Sequence, residues 1–257
     1  MRSIVGTHLT REKYVEHIKS DFSLMFHALA GPTVAVASCP DWDTNDLARH
    51  MGMVYLHQAY VVENAQPPEN EEHLESFADI DSEFELLDVG YAAIIKALDV
   101  GREERPTWSW HHSDFTTDFW FRRMAHETVI HRIDAQLCRG EVTAIDEDLA
   151  VDGVDEVLDF LPLLGSWDEV PNVDFGIVAV CAITSQGAIY WTVEFTSERA
   201  TVTRADGVHP RARLTISGDA QALDLYLWGR ITSEDARTTL TGDGEVTFKK
   251  LMQVAVL

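Results

Sequence analysis

Residues Phe119 to Leu137 run for nineteen positions without a proline or a glycine. Phe121, Met124, Ala125, Val129, Ile130, Ile133 and Leu137 recur at spacings that predict one long, largely buried helix. Asp118 stands where an N-cap is expected and Arg139-Gly140 where a stop is expected. In such a helix Glu127 and His131 are four residues apart, about 40° around the axis, so both side chains can reach one point in space. A carboxylate and an imidazole converging there are a metal-ligand pair short of one or two partners. The commoner outcome for this spacing is a solvated helix pair. The segment His126-Glu127-Thr128-Val129-Ile130-His131 is similar to the zincin helix without matching it, because that motif places its histidines at i and i+4. Here they are five apart, about 140° around the axis, so they do not share an ion. This is not a metalloprotease helix.

Three further helices are expected upstream. Thr10 to Ala30 places Tyr14, Ile18, Phe22, Met25, Phe26 and Leu29 on one side, and Gly31-Pro32 ends it. His17 and His27 lie there, where a lone histidine is usually an ordinary surface or core residue. After the loop Ser38-Cys39-Pro40-Asp41-Trp42, Asp43 or Thr44 can cap a helix over Asn45 to Asn64. His50 and His57 of that helix are on nearly one face but roughly 10.5 Å apart along it, so at most one of them joins a given ion. The polar connection Gln66 to Glu72 is expected at the surface. A helix over Asp81 to Leu98 buries Phe84, Leu87, Tyr91, Ile94, Ile95 and Leu98, with Gly90 as an interior weakness. The loop Trp108-Ser109-Trp110-His111-His112-Ser113-Asp114 suits either a pocket rim or a tether to the core.

Four long helices with uneven connections describe a four-helix bundle, in which metal sites are assembled from inward residues of facing helices. His50 with Glu127 and His131 would supply two imidazoles and one carboxylate, leaving a fourth position for water or substrate.

Beyond Glu141 the character changes. A helix is expected over 146–164, leading through Gly165 to Pro171, and then β-rich runs over Phe175–Thr184, Ala188–Thr196, Ala200–Arg204 and Ala212–Ser217. Turn signals between them predict antiparallel hairpins. A helix over Ala220–Trp228 capped by Asp219, a strand over Ala236–Thr241 and a helix over Glu245–Val254 complete the pattern. The fold class is therefore α+β, a helical bundle followed by a smaller α+β domain with an antiparallel sheet, divided into 1–148 and 149–257.

Composition narrows the partners. Twenty basic residues against 43 acidic ones give a formal charge of −23, which argues against a nucleic-acid backbone or an anionic membrane. No apolar run reaches the roughly 18 residues of a membrane span, and the N-terminus lacks the apolar core of a signal peptide. The three cysteines, Cys39, Cys138 and Cys181, form no Cys-x-x-Cys pair and no disulfide framework, which fits a reducing cytoplasm.

Three separated stretches together resemble one family. Cys39-Pro40-Asp41-Trp42 followed by Asp46-Leu47-Ala48-Arg49-His50 resembles the Cys-Pro-Gly-Trp, Asp-Leu-x-x-His segment of mycothiol-dependent maleylpyruvate isomerase-like proteins, with Asp41 where that pattern usually has glycine. Phe119-Trp120 and Arg122 to Glu127, then His131 to Ala135, resemble the second signature. Leu225 to Arg230 with Thr241-Gly242-Asp243 resembles the end of the C-terminal domain.

The resemblance implies a DinB-like four-helix bundle followed by a sterol-carrier-like domain, and a divalent metal, usually zinc, held by His50, Glu127 and His131. It further implies a metal-dependent enzyme that uses a low-molecular-mass thiol, mycothiol, for isomerisation or thiol transfer on a small electrophile. The alternative is a non-catalytic metal- or small-ligand-binding protein of the same fold. Arg230 is a candidate catalytic residue as a clamp for a substrate or thiol carboxylate, with a helix C-terminal cap as its other role. His57 is a candidate for binding the thiol, with core packing as its other role. Asp134 is a candidate to orient a ligand histidine, or a partner of Arg132.

Overall fold

The computed structural model describes residues 8–256 except 71, 76, 78, 112, 164–174, 198 and 236. His112 and the expected connection Gly165 to Pro171 therefore lie outside the described residues. The chain divides into two compact units, Leu9–Thr143 and Ala144–Leu257, with His8 joining the second.

The first unit contains α1 (Arg11–Leu29), α2 (Thr44–Asn64), α3 (Glu72–Glu75), α4 (Glu83–Ala97) and α5 (Thr117–Leu137). The four long helices form the bundle: α1 packs along α5, α2 along α4, and α2 also meets α5. Their starts follow from local chemistry. Thr10 and Ser82 cap α1 and α4 by accepting backbone N–H bonds from Lys13 and Glu85. Asp43 caps α2 in a reciprocal box with Asp46. The four-residue α3 falls within and just beyond the polar connection, and is too short to leave a periodic signature.

Two expectations about α5 change. Its N-cap is Thr116, whose hydroxyl accepts the Asp118 N–H at 3.3 Å. Asp114 Oδ1 in turn accepts from the Thr116 backbone N–H and hydroxyl, so the helix begins earlier than an Asp118 cap requires. Leu137, grouped above with the buried face, is 40% exposed because the helix ends there. Otherwise α5 is the bundle's interior: only Asp118, Glu127 and Leu137 of its 21 residues are not buried.

Gly90 marks the closest approach of α4 to α2. A Cβ there would collide with the Gly52 carbonyl oxygen, and one on Gly52 would sit 2.9 Å from the Leu86 backbone. The helical weakness of Gly90 is thus the condition for the α2–α4 crossing.

The second unit contains α6 (Glu147–Asp159), a 3₁₀ turn (Leu161–Leu163), β1 (Gly176–Thr184), β2 (Gly187–Phe195), β3 (Ala200–Ala205), β4 (Leu214–Asp219), α7 (Ala220–Leu227), β5 (Thr238–Gly242) and α8 (Glu245–Val256). The strand order is β3-β2-β1-β4-β5. The hairpins β1–β2 and β2–β3 are antiparallel, as is β4–β5. However, β4 pairs parallel with β1, Val178 opposite Leu214 and Ile183 opposite Asp219, so the sheet is mixed rather than antiparallel throughout. The reason lies in β1, whose residues Ile177 to Ala182 are all buried. A strand covered on both faces belongs in the sheet's centre with a partner on each side, so the chain after β3 returns to the free edge of β1.

Candidate metal centre

Helices α2 and α5 bring His50, Glu127 and His131 together in the first unit. One donor atom from each lies within 4.8 Å of the others. Glu127 Oε1 is 3.6 Å from His50 Nε2 and 3.3 Å from His131 Nε2, and the two imidazole centroids are 5.0 Å apart. A tetrahedral ion about 2.1 Å from each of its ligands sets donor atoms about 3.4 Å apart. The observed carboxylate–imidazole spacings match that requirement, so the residues fit a zinc-like ion. Side-chain exposures of 32% for His50, 21% for Glu127 and 11% for His131 leave the cluster reachable from solvent. Three protein donors are also one fewer than the four of structural zinc sites.

The second polar atoms of Glu127 and His131 are engaged. Arg123, one turn before Glu127, donates Nη2–H to Glu127 Oε2 at 3.0 Å, which turns Oε1 toward the imidazoles. His131 Nδ1 lies 2.9 Å from Asp134 Oδ2. The carboxylate accepts only, so Nδ1 carries a hydrogen and Nε2 is the nitrogen that faces the cluster. The Trp42 ring packs 4.7 Å from the His50 ring. Burial works against charge on Glu127, but the imidazoles of His131 and His50 and the Arg123 guanidinium outweigh it and hold the carboxyl well below the usual range. Burial likewise opposes charge on His131, yet the Asp134 and Glu127 carboxylates prevail and push it up to about 9. The same negative potential attracts a divalent cation, which would compete with the proton for Nε2.

The other candidate residues are placed elsewhere. His126 is 1% exposed and meets the Tyr14 ring edge-on at 6.5 Å, on the α1 side of α5. His57 faces α3, its ring 5.1 Å from that of His73, two helical turns from His50. His17 and His27 join no potential metal-ligand cluster among the described residues. Arg230 closes the turn after α7: its N–H bonds Leu225 O at 2.7 Å and its Nη1 donates to Trp228 O at 2.8 Å. His111 is held by Ser109 and Ser113 within its own loop, and its ring lies 5.9 Å from that of Phe119 on α5. Asp134 meets His131. Arg132 pairs instead with Asp21 of α1 at 3.0 Å.

Arg123 is a further residue of the site, marked in the sequence only by its i, i+4 relation to Glu127. Asp41, at the position where glycine is usual in the resembling pattern, has φ +70°. The loop needs a left-handed residue there, and aspartate is one of the few non-glycine residues that tolerates it.

Residues 27–136 match the mycothiol maleylpyruvate isomerase N-terminal domain, and residues 148–247 match the C-terminal domain of the same enzyme family. Comparison with curated proteins finds no match. Among solved structures, a mycothiol-dependent maleylpyruvate isomerase is similar over 92% of this chain and 95% of its own, at 15% identity and a TM-score of 0.59. A point mutant of such an isomerase gives 14% identity and 0.55 over the same shares. At that identity the likeness establishes a shared fold. Both halves of the chain carry the family's domains in the family's order, and the chain belongs to the mycothiol-dependent maleylpyruvate isomerase-like family.

Proposed function

We propose that the protein is a metal-dependent enzyme that uses a low-molecular-mass thiol, mycothiol, to isomerise or thiolate a small electrophile. His50, Glu127 and His131 are the ligands of its divalent metal, zinc in the first instance. One observation carries the proposal: two imidazole nitrogens and one carboxylate oxygen converge, solvent-reachable, with donor spacings suited to a tetrahedral ion. The solved relatives named mycothiol-dependent maleylpyruvate isomerases supply the choice of thiol and reaction.

Three protein ligands leave a fourth position open. A divalent cation at such a site lowers the pKa of a thiol beside it, so that thiolate is available at neutral pH. Such a thiol would supply reversible conjugate addition: its sulfur would bond to one carbon of an activated cis double bond while the electron pair moved onto the conjugated carbonyl oxygen, and after rotation the pair's return would expel the thiolate and leave the trans product, with no net oxidation. Attack at a carbon bearing a leaving group gives thiol transfer instead.

The chain's own residues set the geometry for this chemistry. Asp134 keeps His131 Nε2 turned to the cluster, where a metal would displace its proton, and Arg123 keeps Glu127 Oε1 forward. Arg230 is the proposed clamp for a substrate or thiol carboxylate, a role that competes with its bond to Trp228 O. His57 is the proposed contact for the thiol's distal part.

Elemental analysis of the purified protein, beside His131→Ala, tests the metal. About one equivalent in the parent and none in the variant is expected. Isomerisation of a cis-configured α,β-unsaturated diacid, followed with and without mycothiol, tests the thiol. Equal rates in both would leave the metal and eliminate the thiol mechanism; metal without turnover in either would favour a binding protein.

A further inference from the structure

One loop reaches both imidazoles of the cluster. Residues 33–43 fold back on themselves through Val36 N–H to Trp42 O, Cys39 N–H to Val36 O and Trp42 N–H to Cys39 O, with Asp41 supplying the left-handed turn. At one end Trp42 packs on His50. In the middle, the Ser38 hydroxyl donates to Asp134 Oδ1 at 2.6 Å, and the Cys39 thiol lies 3.8 Å from Asp134 Oδ2. Asp134 Oδ2 also accepts the His131 Nδ1–H at 2.9 Å. Asp134 is wholly buried, so its carboxylate must be met by donors, and these three meet both oxygens.

From this arrangement we propose that Ser38 and Asp134 are positioning residues of the metal centre. The loop hydroxyl fixes the carboxylate, and the carboxylate fixes the tautomer and ring orientation of His131. This proposal rests on the metal-dependent reading above. The chemistry is directional. An imidazole hinged only at Cβ can turn its Nε2 away from the cluster, and a hydrogen bond on Nδ1 removes that freedom while raising the ring's basicity. A carboxylate can accept from Ser38 on one oxygen and from His131 and Cys39 on the other. An asparagine offers a single acceptor oxygen, so it serves either the hydroxyl or the imidazole and not both. The contact spans 96 residues of sequence, so the centre is completed only once the loop before α2 has closed on α5.

The test measures Co(II) binding by competition with a chromophoric chelator, together with the visible d–d spectrum of the bound ion. The proteins compared are the full-length parent, Ser38→Ala, Ser38→Thr, Asp134→Asn and His131→Ala, with thermal unfolding of each metal-free protein as a check on folding. Expected are a 10- to 100-fold weaker affinity, on the order seen for outer partners of metal ligands, and an altered spectrum for Asp134→Asn. Ser38→Ala is expected to weaken binding several-fold, and Ser38→Thr, which keeps the hydroxyl at a half-buried position, to restore it to within about twofold. Parent-like affinity and spectrum in both Ser38→Ala and Asp134→Asn, with His131→Ala unable to bind, would overturn the positioning roles and leave the metal reading intact. Ser38→Thr as weak as Ser38→Ala would overturn the role of the Ser38 hydroxyl. Absence of Co(II) binding by the parent would overturn the metal reading and this proposal with it.

Discussion

Replacing Asp21 with asparagine probes how a polar α5 can be the bundle's interior. Arg132 Nε and Asp21 Oδ1 are 3.0 Å apart, with side-chain exposures of 1% and 8%. At an effective dielectric of about 20 their attraction is roughly 5–6 kcal/mol before desolvation is subtracted. What the variant measures is the cost of leaving a buried guanidinium without a counter-charge, about 3–5 kcal/mol for such pairs. Arg132 keeps other acceptors, Gln136 Oε1 at 2.9 Å and Thr143 O at 2.6 Å, so the lower end, about 3 kcal/mol, is the expected loss. That corresponds to a fall in melting temperature of about 6–12 °C. Urea unfolding followed by circular dichroism would measure it, with Arg132→Met and the double variant completing a cycle. The coupling between the two sites should exceed about 1 kcal/mol. An Asp21→Asn cost below about 0.5 kcal/mol, the range of ordinary surface substitutions, would refute the inference that this pair holds α5 to α1.

Other consequences are more local. Gly90→Ala gains about 1 kcal/mol of helix propensity but forces a Cβ onto the Gly52 carbonyl. Overpacking of about 1–3 kcal/mol should therefore leave the variant less stable in urea titration. Asp43→Ala removes the cap contacts to Asn45 and Asp46 and should cost about 1 kcal/mol, with faster amide exchange confined to the first turn of α2. Zinc at about 100 times its dissociation constant should stabilise the parent by about 2.7 kcal/mol in calorimetry, and a His131→Ala protein showing the same gain would place the ion elsewhere.

The helices were legible because their limits are chemical: Gly31-Pro32 after α1, Asp43 before α2, Gly140 after α5. The start of α5 was not, because its cap depends on Asp114 and Thr116 meeting across a turn. The parallel pairing of β4 was hidden because Ala205-Asp206-Gly207 serves a hairpin or a return connection equally well. Its only trace was the unbroken apolar run of β1, which marks a central strand. In the candidate site, Glu127 and His131 follow from one spacing within one helix. Nothing in the spacing itself favours His50 over His57, since both lie on one face of α2; the family resemblance points to His50, and the structure separates them by their neighbours, Trp42 and His131 for one and His73 for the other. Ser38 carries no local signal at all.

The unusual composition of α5 becomes intelligible when its polar residues are sorted by angle. Arg123, Glu127, His131 and Asp134 are spaced four, four and three apart, which confines them to an arc of about 80°. Each is bonded or apposed to the next along that stripe. Thr128, Arg132 and Gln136 form a second stripe at spacing four, turned to Tyr55, Asp21 and Thr143. His126 falls on the α1 side against Tyr14. An amphipathic period would have required these groups to face water. Instead each stripe is polar toward a specific partner, and only Glu127, between Asp118 and Leu137 at the helix ends, is left partly open. A helix interior that is buried everywhere except at one carboxylate, with an arginine and a histidine fixed on either side of it, is organised to present that carboxylate to something outside the helix. The donor spacing with His50 and His131 is what makes a small divalent cation the proposed occupant.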